Sequence, residues 1–162
     1  MADNKSKISP KDARTLFREQ KYTQQTCGFC DGFVQANVVI LPKSAAPHFK
    51  KFCEDNPKPA PLLEILPPGQ PYTRTIANNA DIRTDLPKYR IYEGKDAKWR
   101  EVLDIKNEWK EDLVTFFLGC SFSFESALQE AGIISFTLLI LVIRLDIIPT
   151  KKTKEFQCDI LI

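Results

Sequence analysis

The chain has 162 residues, 43% of them hydrophobic and 27% charged, so it can bury one core, and one domain is the expectation. Its formal net charge of +2, with acids and bases interleaved, gives no electrostatic case for a nucleic-acid partner. Five cysteines, an odd number, point to thiols in a reducing compartment rather than to a disulfide framework. The opening run Met1 to Lys7 lacks the apolar core of a secretion signal and the acid-free, Arg-rich face of a mitochondrial leader.

Ser9-Pro10 opens a predicted helix over 11–20, because Ser accepts a first-turn N–H and Pro suits the first helical position; Leu16 and Phe17 form part of its apolar face. Residues 33–41, rich in Val and Ile and closed by Pro42, read as a buried strand. A helix is predicted over Ala45 to Asp55, with Phe49, Phe52 and Cys53 on one face, and Asn56-Pro57-Lys58-Pro59-Ala60-Pro61 stops it. Leu62 to Leu66 forms a short strand ended by Pro67-Pro68-Gly69, and 88–92 with 97–103 read as a hairpin around Glu93-Gly94-Lys95-Asp96. Asp104 then caps an amphipathic helix on which Trp109, Leu113, Phe116 and Phe117 recur at helical spacing. A second helix over 124–131 ends at Gly132. The elements predict an α/β or α+β domain, a layered mixed sheet with flanking helices.

Ile133 to Ile143 is almost wholly apolar, and Lys151, Lys152 and Lys154 follow. A membrane-spanning helix needs about 20 apolar residues, so no integral span is expected. A buried strand is the first reading, with an aggregation-prone segment and a surface anchor as alternatives.

Five places carry chemistry. The joint Gly119-Cys120-Ser121 is the densest, with a thiol, two hydroxyls and the carboxylate of Glu125 close together. Ser121 or Ser123 at a helix start offers unpaired N–H groups and a partial positive charge to a carboxylate or an oxyanion; the alternative is a plain helical joint with a capping Ser. Arg83 stands between Asp81 and Asp85, either as a salt-bridged surface turn or as a fork for a substrate carboxylate, with Asp85 as holder or base. Gln35 and Asn37 share one face of their strand and can present amides to a ligand. Asn56 and Lys58 lie in the Pro-rich joint, where rigid geometry fixes a polar group or simply ends a helix. Cys27-Gly28-Phe29-Cys30 has redox or zinc spacing, but a zinc site needs two more ligands, for which Cys53 and the only histidine, His48, are the candidates; two ordinary thiols are the simpler reading.

The run Gly119-Cys120-Ser121-Phe122-Ser123-Phe124-Glu125 resembles a motif of the putative hydro-lyase family, which includes the D-glutamate cyclases. Three more stretches are similar to the family in the same order: Gly32 to Asn37 running into Leu41-Pro42-Lys43, Asn56-Pro57-Lys58-Pro59 through Glu64, and Ala80 to Pro87 with Tyr89-Arg90. The resemblance covers about residues 8–133, the first portion of a hydro-lyase-like domain. Residues 134–162 form a divergent tail, and the family's second half, with its Pro-Gly-His-Met stretch, has no counterpart in this chain. The domain is therefore expected to be incomplete relative to the family and its catalysis weakened or absent, as in a truncated form; a non-catalytic binding module is the alternative.

The resemblance implies closure of D-glutamate to 5-oxo-D-proline with release of water, no cofactor and no metal, and a small carboxylate or amino-acid substrate. On matching positions Arg83 would bind the carboxylate, with Gln35, Asn37 and Asn56 as further substrate contacts. Ser121 and Ser123 would meet the oxyanion, Asp85 or Glu125 would move protons, and Cys120 would be a nucleophile or a buried thiol. Ala60 stands where the family often has Cys, so no thiol acts there. Cytosol is the expected compartment, with the mitochondrial matrix as alternative, and oligomerisation stays open.

Overall fold

The computed structural model describes residues 5–93, 98–123, 127, 128, 131 and 156–161, the last group as backbone. Among the described residues the named elements are helices α1 (Pro10–Arg18) and α2 (Ala46–Asp55) and strands β1 (Gln35–Pro42), β2 (Leu62–Leu66), β3 (Tyr89–Glu93), β4 (Lys98–Val102), β5 (Leu113–Gly119) and β6 (Phe156–Leu161). The units β2-β5-β1 and β3-β4 are joined through β6 into one sheet of order β2-β5-β1-β6-β3-β4. Every described pairing is antiparallel. The fold is α+β. Because β5 lies between β1 and β2, those two strands run the same way and α2 links them as a split βαβ unit.

α1 starts as its sequence dictates. Ser9 Oγ accepts the Asp12 N–H at 3.1 Å, and Pro10 occupies the first turn. It stops at Gln20, which adopts φ +57° while the Lys21 N–H reaches back to the Leu16 carbonyl at 2.9 Å, a Schellman closure made without glycine. α2 ends at Asn56, whose side-chain amide donates to the Phe52 carbonyl at 2.8 Å.

β1 is the axis of the core. Ala36, Val38 and Ile40 share one cluster with Ile82, Leu86 and Ile91. On the other face Leu41 packs with Val114 and Phe116 beneath α2, where Phe49 meets Phe116 edge to face at 5.0 Å. Phe52, expected to share that inward face, is instead 52% exposed and stacks on the outer side of Phe49.

The main correction concerns the predicted helix from Asp104. Residues 113–119 are a strand, and Asp104 accepts the Lys106 N–H in a local turn instead of capping a helix. Leu113 through Phe117 are all buried, so both faces of β5 are covered and its apolar run carries no period that separates helix from strand. The β-forming Val114, Thr115, Phe116 and Phe117 decide the outcome once β1 and β2 flank them. Trp109 still packs on the core, and its indole N–H donates to the Gly69 carbonyl at 3.3 Å. Gly69 is required there: at φ +74° an added Cβ would lie 2.9 Å from the Glu111 carbonyl oxygen.

Ser121–Ser123 form a single 3-10 turn after β5, so the expected helix–helix joint is a strand end followed by a turn. Most of the helix expected over 124–131, with Glu125 and Gly132, lies outside the described residues, as does the Ile133 to Ile143 stretch. Among the described residues no helix is long and apolar enough to cross a membrane.

Thr115 Oγ1 is buried in the middle of β5 and has no hydrogen-bond partner. Thr115→Val removes that desolvated hydroxyl at nearly constant shape. It is expected to raise the urea midpoint by the equivalent of about 1 kcal/mol; an unchanged or lower midpoint would show that the hydroxyl is satisfied in solution.

Candidate functional site

The predicted residues fall into two neighbouring groups and two outliers. The first group is built on the loop 81–85. The loop is fastened by the Thr84 and Asp85 N–H groups to the Asp81 carbonyl and by the Ile105 N–H to the Arg83 carbonyl. Asp81 grips Arg83 in a two-pronged pair, Nε to Oδ1 at 2.9 Å and Nη2 to Oδ2 at 2.8 Å, and Arg83 Nη2 also donates to the Tyr72 hydroxyl at 3.2 Å. That hydrogen bond to Asp81 is the main reason the guanidinium is held above its ordinary pKa.

Asp85 is 1% exposed and fully engaged. Oδ1 accepts Arg18 Nε at 2.8 Å and the Thr84 hydroxyl at 2.9 Å; Oδ2 accepts Arg18 Nη2 at 2.7 Å and the Asp81 N–H at 3.1 Å. Arg18 reaches it from the last turn of α1, across 67 residues of sequence, and the fork raises the Arg18 pKa. One turn earlier, Arg14 lies on the buried face of the same helix. Neither arginine was foreseen at the site. The available signal was the four-residue spacing of Arg14 and Arg18, which places both guanidinia on one side of a helix.

The second group lies at the end of β5. The Gly119 N–H donates to the Pro61 carbonyl at 2.8 Å, and an added Cβ on Gly119 would meet the Pro61 ring at 3.0 Å. The Cys120 N–H donates to the Gln35 carbonyl at 3.1 Å, and Ser123 Oγ accepts the Gln35 N–H at 2.8 Å. Ser123 is thus a latch between the turn and β1. The Gln35 side chain is buried as well, its Oε1 accepting the Thr26 hydroxyl at 3.0 Å and its Nε2 donating to the Phe29 carbonyl at 3.1 Å. Cys120 and Ser121 are half-buried at this end.

Of the outliers, Asn37 falls by strand alternation on the α2 face with Val39 and Leu41, and Asn56 is spent on the end of α2. Glu64, in the same motif run as Asn56, accepts three backbone N–H groups, from Arg74, Thr75 and Ile76, and so pins the 74–76 loop.

The two groups are linked through 26–30. Phe29 and Cys30 pack with Ala13 and Phe17 of α1, and Cys30 holds φ +52°. Burial pushes the Cys30 thiol up to about 11, against the pull of the Arg14 charge. Cys27 is exposed, and no disulfide joins Cys27, Cys30, Cys53 and Cys120 to one another. Among the described residues no three His, Cys, Asp or Glu side chains gather as metal ligands, so Cys53 and His48 do not complete a zinc site with Cys27 and Cys30.

The sequence of this α+β chain has relatives among known proteins. No protein-family model matches the chain. It is 52% identical over 126 residues to a "Putative hydro-lyase" of Oceanobacillus iheyensis, an alignment that covers 78% of this chain and 49% of the relative. The corresponding protein of Afipia carboxidovorans is 49% identical over 127 residues, 78% of this chain and 46% of the relative, and that of Clostridium beijerinckii 48% over 128 residues, 79% and 48%. The chain belongs to this putative hydro-lyase family. It spans about half the length of the curated relatives it matches.

Two measurements test the electrostatics. Asp85→Asn breaks the fork with Arg18 and is expected to cost about 2–4 kcal/mol of stability by urea unfolding, tempered because Arg18 is half exposed; a loss under about 0.5 kcal/mol would mean that the pair is incidental. The Cys30 thiol, raised in the folded state, contributes stability that is complete below its ordinary value of 9 and is lost as pH rises from 9 toward about 11. Cys30→Ala should flatten that part of the stability–pH curve, and wild-type Cys30 should alkylate far more slowly than Cys27 at pH 8.

Proposed function

We propose that this chain carries part of a hydro-lyase site acting on a small carboxylate, with cyclisation of D-glutamate to 5-oxo-D-proline and water as the reaction. The observation that carries the reading is the meeting of three family motifs, those around Gln35, Pro61 and Gly119, at one end of β5. In the reaction the α-nitrogen bonds to the γ-carboxyl carbon while a C–O bond breaks, and the protons released by nitrogen leave with that oxygen as water. A cation must hold the α-carboxylate, donors must face the tetrahedral oxyanion, and a base must take the ammonium proton.

The cation comes from the arginines around Asp81 and Asp85, among which the family resemblance points to Arg83. Ser121 is the hydroxyl for the oxyanion, because Ser123 is committed to Gln35. Glu125 is the remaining proton carrier, since all the described acceptor contacts of Asp85 are taken. Cys120, next to Ser121 in the chain, is a secondary nucleophile candidate. No cofactor enters this scheme. The thiols fit the cytosol, with the mitochondrial matrix as alternative.

A second reading, binding without turnover, is favoured by the same internal commitments: Arg83, Asp85 and Ser123 all serve the fold. Incubation of the purified chain with D-glutamate, followed by chiral detection of 5-oxo-D-proline, separates the two. Product formation that falls about 10-fold or more in Ser121→Ala is the expected result. Saturable D-glutamate binding with no product would establish the second reading, and neither binding nor product would remove both.

A further inference from the structure

Arg14 is the charged group that this chemistry leaves unused. It sits between Ala13 and Phe17 on the inward face of α1, and only 9% of it is exposed. A guanidinium presents five N–H donors and keeps its charge, so its burial is costly without an acceptor. Among the described residues no hydrogen bond or ion pair engages Arg14, and its nitrogens are not among the fully buried atoms that lack a partner, so they reach the surface from an otherwise buried side chain. The one carboxylate whose charge acts on it, Asp85, has given both oxygens to Arg18.

The charge count agrees. Arg14, Arg18 and Arg83 stand against Asp81 and Asp85, and the two forks Arg18–Asp85 and Arg83–Asp81 leave Arg14 in excess. Of its other electrostatic neighbours, Arg18 repels it and Cys30 is a neutral thiol at ordinary pH. Burial depresses the Arg14 pKa, and the charge of Asp85 offsets that only in part. The neighbours hold it in register: Arg18 one turn along α1 is locked by Asp85, and Phe17 and Cys30 pack around the same face.

We propose that Arg14 is the carboxylate-binding residue of this chain, taking a small organic carboxylate in two-pronged geometry with the Arg18–Asp85 fork to one side and Cys30 to the other. The ligand class rests on the hydro-lyase reading; the position does not. The proposal transfers to Arg14 the role first assigned to Arg83, whose fork is filled by Asp81 and Tyr72. A planar fork against a carboxylate is a geometry that lysine cannot reproduce, so the site is specific for arginine.

The test is calorimetric titration of the full chain with D-glutamate and with glutarate, which has no amine and cannot cyclise. Wild type is expected to bind both. Arg14→Gln should weaken binding about 10- to 100-fold, Arg14→Lys less so, and Arg83→Gln by under about threefold. The melting temperature of Arg14→Gln should stay level or rise, because no internal pair is broken. Unchanged binding in Arg14→Gln, no binding of either carboxylate to wild type, or a destabilised Arg14→Gln that reveals an internal partner would each overturn the proposal. Binding through Arg14 without 5-oxo-D-proline formation would remove the cyclase reading and leave this one standing. Turnover that survives Arg14→Gln and is lost in Arg83→Gln would do the reverse.

Discussion

The buried carboxylate of Asp85 is the point on which the arrangement of this chain turns. A carboxylate removed from water is tolerated only when its lone pairs are filled, and here four donors fill them: two from Arg18, one from Thr84 and one from the Asp81 backbone. Those bonds tie the last turn of α1 to a loop far along the chain. The loop in turn carries Ile82 and Leu86 into the sheet cluster. A single ion pair therefore sets where α1 lies against the domain, and with it the position of Arg14.

A second fixed point lies at the end of β5. Gly119 lets the Pro61 ring approach a strand end, and Cys120 and Ser123 clamp the backbone of Gln35 from two sides. These contacts are made largely by backbone groups and one hydroxyl, so their geometry depends on the β1–β5 register more than on side-chain chemistry. The segment 26–30 bridges the two points, since Phe29 receives the Gln35 amide while Cys30 packs under α1. The hydro-lyase motifs, dispersed through the sequence, thereby share one continuous stretch of structure.

Much of this was legible in the residues. Ser9-Pro10 announced α1, the Val- and Ile-rich run announced β1, and the prolines after Asn56 marked the end of α2, because each acts through local backbone chemistry. The order of the four motif runs was enough for the family. β5 was misread as a helix because a strand buried on both faces loses its alternation, and Leu113 to Phe117 then match a helical face equally well. The Asp81-Arg83-Asp85 spacing foretold ion pairs, but it could not tell which arginine each acid would take.

By itself, then, the sequence determined the family, the two helices with the Ser9 cap of α1 and the stop of α2, the central strand and the residue types available for carboxylate chemistry. All of these follow from short-range sterics, hydrogen bonding and motif order. Only the tertiary structure decided that β5 is a strand between β1 and β2, that Asp85 belongs to Arg18, that Arg83 is held by Asp81, and that Arg14 lies on the buried face of α1 outside both forks. The reason is that strand pairing and ion pairing are choices among distant partners. Their energies depend on burial and distance, which exist only once the chain has closed on itself.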